Sequence, residues 1–196
     1  MDTWLVLLRG INVGGKRVIP MSDLRDLFAD MGFANPVTYI QSGNVVVGSS
    51  TTRTAQAASA IERRLTAAFG CDARVVIRDA AQMSRTVRGI PRDWDASDAA
   101  MRHNVIFLTE GVRAKGLIDP RSLRPEYESL STGDGVLYWA APFSTVNRTA
   151  MMRLSSHPSY AEMTVRNLRT TLRLHEIMQE HAGARPRSSV RGASID

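Results

Sequence analysis

Five consecutive apolar residues, Trp4-Leu5-Val6-Leu7-Leu8, run directly into Arg9-Gly10-Ile11-Asn12-Val13-Gly14-Gly15-Lys16. A short apolar run without polar alternation suits a strand covered on both faces. The chain must therefore supply a layer above it and a layer below it. The segment that ends the strand combines three glycines, an asparagine and a lysine. Such a loop turns sharply and presents backbone N–H groups beside positive charge, the shape of an anion site.

Gly10–Lys16 satisfies the first seven positions of the phosphate-binding pattern G-x-x-x-x-G-K. Its eighth position, where a metal-binding Ser or Thr belongs, is Arg17. Val18-Ile19-Pro20 then separates the loop from the next helix, whereas a phosphate loop runs straight into one. A nucleoside triphosphatase is disfavoured. A non-hydrolytic anion contact and a plain tight connection both remain open.

The next elements follow from periodicity. Met21–Met31 spaces Leu24, Leu27, Phe28 and Met31 on one helical stripe, with Gly32 to end it and Asp23, Asp26 and Asp30 outside. Val37–Ile40 and Val45–Val47 read as strands about the turn Gln41-Ser42-Gly43-Asn44. Thr51–Phe69 is helical and stops at Gly70, and Asp72–Arg78 alternates as a fourth strand. That order, βαββαβ, is the ferredoxin-like split arrangement. A helix over Ala80–Gly89 leads to a second half. There Val105–Leu108 is a strand, Val112–Ile118 a short helix, and Tyr127–Leu130 and Val136–Ala140 flank the turn Ser131–Gly135. Asn147–Leu154 and Thr164–His181 read as helices.

The fold class expected is α+β: two tandem ferredoxin-like subdomains joined by a short helix, with a long C-terminal helix. Boundaries fall at 1–79, 80–102 and 103–182, with a disordered tail over 183–196. The repeat is one of architecture rather than of text.

Composition narrows the class. The 196 residues are 43% hydrophobic and 22% charged, ordinary for a folded protein. No apolar run approaches the roughly 18 residues that span a bilayer. A single cysteine, Cys71, excludes an intrachain disulfide framework. With no basic n-region before Trp4–Leu8, a cytoplasmic protein is expected. The net charge of +6 is carried by Arg in all but Lys16 and Lys115 and is partly concentrated in the tail, so it is a weak field for steering a polyanion.

Leu7–Gly15 (LLRGINVGG), Thr38–Asn44 (TYIQSGN) and Thr164–Asn167 (TVRN) resemble, in order, motifs of the bacterial family DUF1697, a domain of unknown function. Met21–Leu24 (MSDL) and His103–Leu108 (HNVIFL) fit the same pattern. The resemblance implies a pair of ferredoxin-like α+β subdomains and no established activity. The chain departs from the pattern at Val45–Gly48, where Phe and a charged residue are usual, and at Leu168, where Trp is expected.

Three functions follow as alternatives. The first is binding of a small anionic or polar ligand by Arg9, Gly10, Asn12, Gly14, Gly15, Lys16, Gln41, Ser42, Asn44, Arg166 and Asn167. Any catalysis there would be electrostatic, through Arg, Lys and backbone N–H groups. The second is nucleic-acid binding by an arginine stripe, Arg166, Arg169 and Arg173, on a helix capped by Thr164. Central strands without an exposed aromatic series argue against an RNA-recognition module. In the third, Arg166 and Asn167 hydrogen-bond loop carbonyls and hold the subdomains together around no ligand. Cys71 reads as a small core residue. His175 and His181 lie on different helix faces and form no metal pair. No cofactor, metal ligand set or oligomeric state is indicated, and no membrane partner is expected.

Overall fold

A computed structural model of the chain describes residues 1–12, 18–156 and 158–184. Gly14, Gly15 and Lys16, and the tail from residue 185, lie outside the described residues. The fold is α+β, with two four-stranded antiparallel sheets and four α-helices.

The first sheet is built by β1 (Asp2–Arg9), β2 (Ala34–Tyr39), β3 (Asn44–Ser49) and β4 (Arg74–Asp79) in the order β2-β3-β1-β4. Helices α1 (Met21–Asp30) and α2 (Thr54–Phe69) connect its strands. The all-apolar β1 is central, with Leu5 opposite Val46 on one side and Arg78 on the other. Strand alternation divides its side chains between two cores. Trp4, Val6 and Leu8 face Leu24, Phe28, Ile61 and Leu65 of α1 and α2. Leu5 and Leu7 face the opposite way, into a core that both sheets share. Gly70 closes α2 in the left-handed region at φ 64° and bonds back to the Thr66 carbonyl.

The second sheet contains β5 (Met101–Leu108), β6 (Ser129–Gly133), β7 (Val136–Pro142) and β8 (Met163–Asn167), ordered β6-β7-β5-β8. Here two expectations fail. Residues 112–118 form no helix, because Gly111 and Gly116 both sit at positive φ and interrupt the turn. The 147–154 segment forms short 3-10 turns, broken where Thr149 is extended. The third correction matters most. Thr164–Asn167 is a strand, not the opening of a helix, because β-branched Thr164 and Val165 pair with Phe107 and Ile106. The second half, like the first, therefore closes with a strand that leads into a helix. The long helix α4 begins only at Leu168 and runs to Gly183.

Helix α3 (Ala80–Arg88) follows β4, and α4 follows β8. Both enter the space between the sheets. Leu174, Ile177 and Met178 of α4 and Met83 of α3 join Leu5, Leu7, Val105, Phe107 and Tyr138 in the shared core. Tyr138 also donates its hydroxyl to the Thr86 carbonyl of α3 at 2.7 Å. One core thus couples the two sheets. Leu174→Ala, at a position with 0% exposure, is expected to cost about 2–5 kcal/mol. Urea unfolding should move to a lower midpoint, with circular dichroism and tryptophan fluorescence still giving coincident curves.

Candidate functional site

The β1 loop and the β2–β3 turn meet at one edge of the first sheet. Leu8 N–H donates to the Gly43 carbonyl at 2.7 Å, and the Asn12 amide donates to the Gln41 carbonyl at 2.9 Å. Asn12, itself at φ 54°, also pairs with both backbone groups of Ile19 and so closes the loop it begins. Gly43 is required at its position: φ is 77°, and a Cβ would stand 2.8 Å from Leu8 Cβ and Ile11 Cδ1. Beside it Ile40, a β-branched residue, is held at φ 48°, a costly conformation for that residue type.

Arg166 is inserted into this edge from the other sheet. Strand alternation puts it on the inner face of β8, and it is only 9% exposed. Its Nη2 donates to the carbonyls of Leu8 (2.9 Å), Ser42 (2.9 Å) and Gly43 (3.3 Å), and its Nε to Asn44 Oδ1 (2.5 Å). Nη1 returns to the carbonyl of its own neighbour, Val165. Asn44, 0% exposed, spends its amide on the Tyr39 carbonyl and Ser42 Oγ. Burial lowers the Arg166 pKa to about 10, still well above neutrality, so the buried cation persists.

Arg78 repeats the arrangement in the opposite direction. From β4 it reaches across to the carbonyls of Leu108 (2.7 Å) and Gly135 (2.8 Å), with Nη1 on the carbonyl of its own neighbour, Ile77. Leu108 N–H in turn donates to Gly135, as Leu8 does to Gly43. Burial lowers the Arg78 pKa to about 10 as well. The residue after each arginine caps a helix: Asp79 accepts from Gln82 N–H, and Asn167 from Thr170 N–H. Sequence reasoning missed Arg78 and with it a textual repeat, Ile77-Arg78-Asp79 against Val165-Arg166-Asn167. The signal was available: an aliphatic residue, an arginine and a capping Asx, each time between a strand and a helix.

These bonds change the part assigned to several residues. Arg166 is on no helix, so the expected arginine stripe does not form. Asn167, rather than Thr164, caps α4. Arg173 is paired with Glu176 and Glu180, each at 2.9 Å. His175 contacts Ser84 Oγ, and His181 contacts Thr3 Oγ1 and the Asn35 carbonyl. Among the described residues no cluster of His, Cys, Asp and Glu is suited to a metal. Nor is any helix long and apolar enough to cross a membrane.

What remains open at the edge is a cleft of about 260 Å³ lined by Arg9, Gly10, Asn12, Ser42, Tyr160 and Thr164. The Arg9 guanidinium lies 4.4 Å from the centre of the Tyr160 ring and has no hydrogen-bond or ion-pair partner among the described residues. Thr164 Oγ1 is enclosed and has no partner, alone in that respect among the described residues. No sequence signal marks Tyr160 and Thr164 as lining residues: Thr164 reads as the cap of a helix, and Tyr160 carries no motif.

The class is thereby defined: an α+β protein of two antiparallel sheets, pinned together by arginines that each sheet sends into the other. The chain belongs to the family whose model, described as a protein of unknown function (DUF1697), matches residues 1–138. Its structure is similar to that of a conserved bacterial protein from Streptococcus pneumoniae, with 26% sequence identity and a TM-score of 0.78. The match covers 90% of this chain and 98% of that one. No curated protein matches the chain.

Two variants test the energetics. Arg166→Lys has too few donors for five acceptors and should lose about 2–4 kcal/mol in denaturant unfolding. Thr164→Val keeps the shape and removes an unpaired buried hydroxyl, so stability should hold or rise by about 1 kcal/mol.

Proposed function

We propose that this is a cytoplasmic binding protein for a small anion-bearing molecule, received in the cleft beside Arg9. The observation that carries the reading is the Arg9 guanidinium, positioned over Tyr160 with its N–H fork unpaired among the described residues. Stacking holds the fork without consuming its donors, which favours bidentate contact with a carboxylate or phosphate. Gly10 at φ 85° brings backbone to the cleft without a side chain in the way. Ser42 and Gln41 supply polar groups on the adjoining turn. Gly14, Gly15 and Lys16 belong to the same loop and would add backbone N–H groups and a second cation.

In this reading Asn44 and Asn167 frame the cleft, while Arg166 and Asn12 line it with groups already spent on protein partners. We also read each half, residues 1–79 and 103–182, as a ferredoxin-like unit. The strand order β2-β3-β1-β4 supports this for the first, and its repetition as β6-β7-β5-β8 for the second. The volume of about 260 Å³ favours a ligand smaller than a nucleotide, at or below the usual size range of binding pockets.

The test is a thermal-shift and calorimetric titration with inorganic phosphate, small carboxylates and sugar phosphates. A ligand at a hundredfold excess over its Kd should stabilise the protein by about 2.7 kcal/mol. Arg9→Gln should remove that stabilisation while leaving the free protein's midpoint within about 0.5 kcal/mol, as for a surface substitution. Absence of any response in the wild type, or an undiminished response in Arg9→Gln, would overturn the reading.

A further inference from the structure

The outer faces of the two sheets are covered differently. Two full helices lie over the first, whereas 3-10 turns and irregular loops cover the second. Two contiguous hollows remain on the second, of about 710 and 290 Å³, with Arg102, Asn104 and Val165 on the rim of both. Asn104 is 7% exposed. Its carboxamide has no hydrogen-bond partner among the described residues, and what exposure it keeps opens into these hollows. Neither of its polar atoms is enclosed without a partner, so the amide meets solvent in the hollows and is open to a ligand.

Its surroundings are rich in donors. Asn167 is its register partner across β5 and β8. Asn167 Oδ1 is engaged by Thr170 N–H, and its NH₂ group has no acceptor among the described residues. Arg102 lies two residues earlier on the same strand face, roughly 7 Å along the strand, and has no acid partner among the described residues. Arg169 opens α4, whose N-terminus carries the positive end of the helix dipole. Two acids line the larger hollow as well: Asp95 accepts from the N–H and hydroxyl of Ser97, and Asp98 from Ala100 N–H. Arg169 donates one N–H to the Ala96 carbonyl at 3.2 Å and keeps its other donors for a ligand. Beyond Asn104 the smaller hollow turns apolar, with Ile106, Trp139, Met151 and Leu154.

We propose that this groove binds the carboxylate end of an acylated aliphatic amino acid, free or at the terminus of a short peptide. The carboxylate lies between Arg102 and Arg169. The adjoining amide presents one donor and one acceptor to Asn104, which can answer both. The aliphatic side chain enters the hollow beside Ile106 and Leu154. Cation, amide and apolar wall follow one another as Arg102, Asn104 and Ile106 on one face of β5, the order such a ligand requires.

The experiment is an NMR titration that follows the side-chain NH₂ signals of Asn104. The probes are N-acetyl-leucine and an acetylated tripeptide ending in leucine, which separate the free from the peptide source. Both signals should move saturably with at least one probe. N-acetyl-leucine amide, which lacks the carboxylate, should bind at least tenfold more weakly. Arg102→Gln, a surface change, and Asn104→Leu should each weaken binding tenfold or more. Asn104 signals that do not move overturn the proposal. So do equal affinity in Arg102→Gln and a response to adenosine monophosphate without one to either carboxylate probe.

Discussion

Two buried guanidinium groups fix the relation between the sheets. Each leaves the end strand of its own sheet and finishes on the carbonyls where the other sheet's central strand meets its hairpin turn: Arg166 on Leu8 and Gly43, Arg78 on Leu108 and Gly135. Neither makes an ion pair among the described residues; their acceptors are mainly backbone carbonyls. Removing a charge from water costs several kcal/mol, so the arrangement is stable only when nearly every N–H of the fork is met. That demand fixes the β2–β3 turn geometry, the positive φ of Gly43 and the burial of Asn44 together. The shared core of Leu5, Leu7, Phe107, Tyr138 and Leu174 supplies the area buried; the arginines supply its register. Apolar contact alone tolerates sliding, and a guanidinium fork does not.

The same bonds explain why motifs far apart in sequence converge. LLRGIN, TYIQSGN and TVRN meet because Arg166 of the last must find carbonyls of the first two. Much of what looks like a ligand constellation is therefore a joint. The cleft that survives beside it is small and is defined by what the joint leaves unused, above all Arg9 over Tyr160. Position and availability part company here. Asn12 and Asn44 stand at the cleft or its frame, yet their amides already have protein partners.

The first half of the fold could be read almost whole from the sequence. Trp4–Leu8, the Leu24–Phe28 stripe and the glycines after the helices each carry one unambiguous local signal. The second half could not. The expected helix over 112–118 lacked length between two glycines, and Arg166, Arg169 and Arg173 carry a helix-like spacing that in fact spans the end of β8 and the start of α4. Tertiary pairing with β5 decided that segment against its apparent period. The candidate site was half readable for a related reason. Loop composition located the edge of the sheet, but which polar groups remain free depends on partners more than a hundred residues away, as for Arg166 and Asn44. Asn104 shows the limit in reverse, since one asparagine in an apolar strand gives no sign that its neighbours withhold hydrogen bonds.

The account turns on the claim that each arginine serves both sheets. Native-state amide hydrogen exchange of Arg166→Met addresses it directly, by comparing protection in β1 (Leu5–Leu8) with protection in β5 (Val105–Leu108). If the joint couples the sheets, the free energy of opening should fall by the same amount in both strands, although the substituted residue sits in β8. Loss of protection confined to one sheet, with the other unchanged, would contradict it.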